Sequence, residues 1–343
     1  MDWVERAAEM RFKNGVSWTQ LPPLLVKEFG GQFSFHQVRN RLRRHPDYKE
    51  PYQKGNVTYE NRRINDDASM EGLKSLLVQA QHVMQDDDVR QTSVTITIDD
   101  TKPIGIPFLA DWHIGGWGVD HEKLFADVDL IAGFDGLHPI HLGDTKDNYR
   151  DIKGTPQEQL IRPGKQDSVV LSLMEQLQNM LAVMLGCHDY WDIKDGDKDF
   201  ISTCAQVSDS VHLWAGGDMF LNLGEQQYHI RARHKYKGES GLNTTNTQRR
   251  MTDEMGHADI NAVAHKHFWD MQQHIRQGKP TIDLRAGTYK YLDDFGQKLA
   301  GYKGMYGIPI VILFPDKKKL VPFTDFMQGL EYLDYLRSNL GEV

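Results

Sequence analysis

Residues 104–118 read Ile-Gly-Ile-Pro-Phe-Leu-Ala-Asp-Trp-His-Ile-Gly-Gly-Trp-Gly. The apolar run from Ile104 to Ala110 stops abruptly at Asp111-Trp112-His113, and glycines follow. A strand of that composition reads as buried on both faces, the pattern of an inner strand in an α/β sheet. In such sheets the loop beyond the carboxyl end of a strand is where ligands bind. A carboxylate and an imidazole therefore stand where a site is expected. Alone the signal is weak, since an Asp and a His after a strand are more often a turn and a surface side chain.

Working outward from this stretch, the same arrangement recurs. Val94–Ile98 alternates Thr with β-branched residues as a strand, and Lys123–Ile131 is helical. Pro139–Leu142 is a short apolar strand ending at Gly143-Asp144. Gln157–Gln178 reads as a long helical stretch interrupted at Arg162-Pro163-Gly164, and Leu181–Leu185 as a strand ending at Gly186-Cys187-His188-Asp189. After a helix over Phe200–Val207, Val211–Leu223 and Gln227–Arg233 are expected as a hairpin running into His234. A polar loop, Lys235–Asn243, precedes the strand Ile260–Ala264, which ends at His265-Lys266-His267. The tail alternates strands (Thr281–Leu284, Ile308–Phe314, Leu320–Phe323) with a final helix from Asp325 to Leu340. Strand then helix, repeated, is the signature of a layered α/β sheet.

Ligand-type residues thus follow five apolar strands in succession, which coincidence does not readily supply. Neighbouring strand ends open on one edge of a sheet, so these side chains are expected to converge in one cleft. Carboxylates and imidazoles together suit Mn²⁺, Fe or Zn²⁺. With more ligands than one ion can use, two ions sharing a carboxylate are expected, about 3.5 to 4 Å apart, binding phosphate oxygens and lowering the pKa of a bridging water to supply hydroxide. The chemistry that follows is phosphoester hydrolysis.

The ordered blocks Asp-x-His, Gly-Asp, Gly-x-His-Asp, a single His, and His-x-His resemble the calcineurin-like metallophosphoesterase superfamily over roughly residues 100 to 325. The resemblance implies a four-layer αββα sandwich with a dinuclear centre at one edge. It implies that Asp111, His113 and His267 hold the first metal, that Asp144 bridges, and that His234 and His265 hold the second. His188 is implied as proton donor to the leaving group, with Asp189 orienting its imidazole. One departure concerns Cys187, which stands where the family usually has an Asn ligand of the second metal; a thiolate there favours a softer ion, and a small packed thiol is the alternative. Ala264 in place of a common Gly is a second, conservative departure. The run Gly143-Asp144-Thr145-Lys146-Asp147-Asn148 lacks the phosphate-gripping arginine of the serine/threonine phosphatase branch, which directs attention to the DNA-repair nucleases of the superfamily.

The amino-terminal end differs in character. Residues 1–50 carry nine Lys/Arg against six Asp/Glu, although the whole chain has a formal net charge of -8. Apolar positions at helical spacing mark three short helices, the last following Phe33-Ser34 with Val38 and Leu42 inward. Gln37, Arg39, Asn40, Arg41, Arg43 and Arg44 remain outward on that segment, a helix-turn-helix pattern whose third helix suits the major groove of DNA. The expected organisation is an all-α helix-turn-helix domain over 1–46, a linker and amphipathic helix over 47–92, and a metallophosphoesterase domain over 93–343.

Two cysteines, Cys187 and Cys204, exclude a disulfide scaffold. No apolar segment approaches the roughly 18 residues that span a bilayer. With no basic and apolar leader at Met1–Arg6, a cytoplasmic protein without a membrane partner is expected. The leading functional expectation is a nuclease using two divalent ions, Mn²⁺ first with Zn²⁺ or Fe as alternatives, guided to DNA by its amino-terminal helices. Two others stand beside it: a phosphodiesterase or phosphatase of nucleotides or other small molecules, and a DNA-binding regulator with an inactive phosphoesterase domain. The oligomeric state is open, a homodimer included.

Overall fold

The chain divides into two units, Met1–Met84 and Gln85–Val343. The computed structural model describes residues 2–13, 21–31, 33, 38, 41–42, 74–75, 78, 92–148, 159–196, 199–240, 242–276, 278–292 and 303–339.

In the first unit, helix α1 (Trp3–Ala8) is capped by Asp2, whose carboxylate accepts from the Val4 N–H at 2.6 Å, and it continues as a π-helical turn over Glu9–Lys13. Helix α2 (Leu21–Phe29) stops at Gly30 and Gly31, both in the left-handed region. Val38, Arg41 and Leu42 are helical. Val38 and Leu42 are buried with Ala7, Ala8, Met10, Leu21 and Leu25, so the apolar positions of the third helical segment do turn inward. Arg41 is exposed; Gln37, Arg39, Asn40, Arg43 and Arg44 lie outside the described residues. Of the amphipathic helix expected over 69–84, Lys74, Ser75 and Val78 are described, and all three are helical and exposed.

The second unit contains twelve strands among the described residues: β1 (Ser93–Ile98), β2 (Ile104–Leu109), β3 (Ile140–His141), β4 (Ala182–Val183), β5 (Val211–His212), β6 (Gly216–Leu223), β7 (Gln226–Arg233), β8 (Ile260–Val263), β9 (Asp270–Arg276), β10 (Lys279–Arg285), β11 (Ile310–Leu313) and β12 (Leu320–Phe323). They form two sheets, ordered β12-β11-β2-β3-β4-β5 and β1-β6-β7-β8-β10-β9. In the first, β2 to β5 run parallel and β11 joins β2 antiparallel. In the second, β7, β8 and β10 are mutually parallel.

Strand β2 explains its own composition: all six residues are buried because both faces are covered. Ile104, Ile106 and Phe108 meet Leu221, Ile230, Ile260 and Leu284 of the other sheet in a core between the sheets. Leu109 instead joins a second core with residues of α3 (His121–Gly133), α4 (Pro163–Gln176), α6 (Phe200–Ser208) and α8 (Phe326–Asn339), such as Leu124, Val170, Phe200 and Leu333. A short helix α5 (Tyr190–Gly196) lies between α4 and α6 in the chain. The outer face of the second sheet carries α7 (Asn246–Met255), packed on β8 and β10. Helices, sheet, sheet and helix make four layers, the αββα sandwich. Each fully buried Ile, Leu or Phe contributes about 1.5 to 3 kcal/mol to holding them together. Among the described residues no helix is long and apolar enough to cross a membrane.

Several local expectations are corrected. Pro163 begins α4 rather than interrupting a helix, since its missing N–H is harmless in the first turn. The segment Val211–Leu223 is not one hairpin arm. Its start, β5, pairs with β4, the chain then turns through left-handed Trp214, and only β6 forms a hairpin with β7. Strand β9 and helices α5 and α7 carry too little apolar periodicity to be read from sequence.

The case of α7 is instructive because its sheet-facing side is polar. Gln248 donates to the Leu284 carbonyl at 2.8 Å, and Asn261 donates to the Thr252 hydroxyl and to Asp283, each at 3.0 Å. Burial pushes the Asp283 carboxyl up to about 6, with the Asn261 amide opposing the shift. A raised carboxyl stabilises the fold at pH values below its unfolded pKa, near 4, and loses that contribution as the pH rises through 6. Asp283→Asn, permanently neutral, is therefore expected to gain about 2 kcal/mol of stability at pH 8 and nothing at pH 4, read from denaturant unfolding. An equal effect at both pH values would contradict the charge argument.

Candidate metal centre

The candidate ligands stand at the carboxyl ends of strands from both sheets. Asp111 and His113 follow β2, Asp144 follows β3, and Cys187 and His188 follow β4 in the first sheet. His234 follows β7, and His265 and His267 follow β8, in the second. Convergence is achieved by two sheets facing one another, not by neighbouring strands of one sheet alone.

The chain turns sharply at these points. Asp111, His113, Asp144, His265 and His267 all adopt left-handed backbone, with φ between 45° and 74°. That conformation costs a non-glycine residue roughly 1 to 2 kcal/mol, so the surroundings must impose it. They do so with backbone bonds: Asp111 N–H to the Gly143 carbonyl at 3.0 Å, His113 N–H to Asp144 O at 3.1 Å, and His265 N–H to the Asp111 carboxylate at 3.0 Å. The Thr288 hydroxyl adds a bond to the Asp111 carbonyl at 2.8 Å. Two glycines let the loops approach. A Cβ on Gly186 would lie 2.1 Å from Asp144 N, and Gly143 has φ +104° with Gly186 N 2.6 Å from where its Cβ would be.

The donor atoms gather into overlapping sets. Asp111, His113 and His267 each bring one atom within 4.8 Å of the others, and so do Cys187, His234 and His265. Asp144 belongs with both: its Oδ2 is 3.3 Å from His234 Nε2 and 3.9 Å from His113 Nε2. His113 Nε2 and His267 Nε2 face each other at 3.0 Å. Asp111, His113, Asp144 and His234 are buried, while His267, His265, His188 and Cys187 are half-buried and open the site on one side.

The electrostatics fit a cation. Burial pushes His113 and His265 down to about 4 and His267 well below its usual value, which leaves neutral rings with lone pairs. His234 is the exception: burial opposes its charge, but Asp144, Cys187 and Asp111 together raise it well above the usual imidazole range. Asp111 is raised by burial with Asp144 adding, whereas His234 and His188 hold Asp144 low against its own burial. Asp111 Oδ1 and His234 Nε2 are buried without a hydrogen-bond partner, a situation that costs about 1 to 3 kcal/mol per atom unless something else satisfies them. Nitrogen and carboxylate donors aimed at one space are the set that divalent Mn, Fe and Zn take.

The structure corrects the expected role of Asp189. Its carboxylate does not reach the His188 ring. It accepts from the backbone N–H groups of Asp144, Thr145 and Gly186 at 2.8, 3.1 and 3.0 Å and from the Thr145 hydroxyl at 2.7 Å, tying the β3 and β4 loops together. The reason is burial: a carboxylate at this depth needs several donors, and the two loops present their N–H groups to it. His188 is oriented otherwise, its N–H donating to Asp144 Oδ1 at 2.7 Å and its Nδ1 to the Asp147 carbonyl at 2.5 Å.

Sequence reasoning passed over Asp147, three residues after Asp144 in the same loop. Its Oδ1 lies 3.5 Å from His113 Nδ1 and 2.7 Å from the buried Lys290 ammonium, so it holds the His113 ring from behind. His141 is a second support that no block of the sequence singles out. It is buried, kept neutral by a pKa near 3, and accepts from the Gly143 N–H at 3.1 Å, bracing the turn that presents Asp144.

Neither a protein-family model nor a curated protein matches the sequence. Among solved structures the chain is similar to a predicted phosphoesterase from Streptococcus pneumoniae TIGR4, at 13% identity and TM-score 0.33, covering 66% of this chain and 99% of that one. It is similar also to the calcineurin-like phosphoesterase YfkN from Bacillus subtilis, at 11% identity and TM-score 0.35, covering 69% and 100%. The nuclease MPE from Pseudomonas putida is similar at 12% identity and TM-score 0.30, covering 64% and 87%.

Proposed function

We propose that this chain is a divalent-metal-dependent hydrolase of phosphodiesters and that its substrate is DNA. The observation that supports this most is the placement of Asp144 between two donor sets, Asp111 with His113 and His267 on one side and His234 with Cys187 and His265 on the other. Two divalent ions held by those residues would supply Lewis-acid polarisation of phosphate and activation of water at neutral pH, with Mn²⁺ the first expectation.

The chain's own residues do the positioning and the proton transfer. Asp147, held by Lys290, keeps the His113 ring in place. His188 stands beside the donor sets, and because its Nδ1–H is engaged by the Asp147 carbonyl, Nε2 is the atom that gives a proton to the departing oxygen. The absence of an arginine in Gly143–Asn148 supports a diester over a monoester. The basic surplus of residues 1–50, with Gln37, Arg39, Asn40, Arg41, Arg43 and Arg44 among them, supports DNA as the polymer.

The test is a substrate panel with Mn²⁺: single- and double-stranded DNA, bis-p-nitrophenyl phosphate and p-nitrophenyl phosphate. Cleavage of DNA and of the diester, with the monoester turned over more slowly, is expected. A nucleotide or monoester cleaved while DNA stays intact would replace the nuclease reading with a small-molecule phosphoesterase, and no turnover of any substrate would leave a regulator. Deleting residues 1–45 is expected to weaken salt-sensitive DNA binding while the small diester is still hydrolysed.

A further inference from the structure

The two donor sets are not chemically alike. Asp111, His113 and His267 offer one oxygen and two nitrogens, whereas Cys187, His234 and His265 offer a sulfur and two nitrogens. Cys187 Sγ lies 3.6 Å from His265 Nδ1. His234 donates from Nδ1 to the Leu142 carbonyl at 2.9 Å, which leaves Nε2, turned toward the sulfur and Asp144, as the nitrogen that would meet an ion. That Nε2 belongs to a ring 2% exposed and has no hydrogen-bond partner. A buried ring nitrogen without a hydrogen-bond partner, set beside a thiol, a carboxylate and a second imidazole, is a site built for a cation. Cys204, the other cysteine, belongs to α6 and is buried in the apolar core.

We infer that Cys187 is a thiolate ligand and that the Cys187, His234 and His265 position takes Zn²⁺ or a similarly borderline-soft divalent ion in preference to Mn²⁺, so that the centre holds two different metals. The inference rests on the metal-dependent reading of the same site and specifies it. Thiolate and imidazole together favour Zn²⁺ and Co²⁺, while a carboxylate with two imidazoles also suits Mn²⁺. Ligation replaces the S–H bond by a sulfur–metal bond, and the proton is released to solvent.

The full-length protein, stripped of metal, is titrated with Co²⁺ while sulfur-to-cobalt charge-transfer absorption is followed. One equivalent of the band is expected, abolished by stoichiometric Zn²⁺ but not by Mn²⁺ in excess. Cys187→Asn loses the band and binds Zn²⁺ at that position at least about tenfold more weakly, while Cys204→Ala keeps both. A second readout needs no variant: in the wild-type protein Zn²⁺ protects Cys187 from iodoacetamide, mapped by peptide mass. No band in the wild type, a band surviving in Cys187→Asn, displacement by Mn²⁺ as readily as by Zn²⁺, or alkylation of Cys187 unaffected by Zn²⁺ would each overturn the inference. The two readings fail separately: a band without hydrolysis removes the phosphoesterase, and hydrolysis without a band removes the thiolate.

Discussion

Asp144→Asn is expected to lower kcat on a phosphodiester by about three orders of magnitude or more, the largest loss of any single substitution in this protein. The expectation comes from position. Asp144 stands close to the ring nitrogens of both donor sets through one oxygen, Oδ2, 3.3 Å from His234 Nε2 and 3.9 Å from His113 Nε2. Asparagine preserves the size of the side chain and an oxygen to accept the His188 N–H, which Asp144 Oδ1 now does at 2.7 Å. What it removes is the negative charge that both sets share, so ion content and turnover should fall together. The folded state is expected to survive, because a neutral amide is cheaper to bury than a carboxylate. The checks are metal analysis after dialysis, steady-state kinetics and a thermal melt. Turnover near that of the wild type would end the shared-carboxylate model.

His188→Ala should behave differently. Loss of a general acid costs about 10² to 10⁴ in rate when the leaving group needs a proton. The loss is expected to be near the upper end for DNA and much smaller for bis-p-nitrophenyl phosphate, whose phenolate departs without help. Metal content should remain close to that of the wild type. An equal loss on both substrates would assign His188 to holding the site together rather than to proton transfer. The half-exposed ring of Trp191, 4.4 Å from that of His188, offers a fluorescence signal for checking that the loop stays folded.

The chain's order of strands and the chemistry at their ends are local facts. An apolar run such as Ile104–Ala110 must be buried, and burial on two faces makes it an inner strand, whatever lies around it. The residue types that follow such runs are equally plain in one dimension. Other elements were hidden because burial and polarity part company in them. Helix α7 presents Thr247, Gln248 and Thr252 beside Met251 to the second sheet, which answers with Asn261 and Asp283, so a single apolar residue marks its buried face. Strand β9, reading Asp-Met-Gln-Gln-His-Ile-Arg, sits at the sheet edge, where one flank faces water and apolar residues are not demanded.

Within the centre the division is the same. Asp111, His113, Asp144, Cys187, His188, His234, His265 and His267 were legible as donors because each follows a strand, an apolar one in every case but that of His234. Their supports were not, since a supporting contact depends on which loop lies opposite. Asp189 looked like a partner for its neighbour His188, yet three backbone N–H groups from adjacent loops claim its carboxylate. Asp147 is one more loop aspartate in the sequence, and its partner Lys290 is 143 positions away in the chain.

The alternation of elements, the burial of β2 and the kinds of atom available to a cation follow from the order of residues, because hydrophobicity and donor chemistry belong to each residue alone. Packing brings the donors together from two facing sheets, sets Asp144 between an oxygen-bearing set and a sulfur-bearing one, and selects which carboxylate stands behind the His113 ring. Distances and desolvation are properties of pairs brought together by packing, and no single stretch of chain carries them.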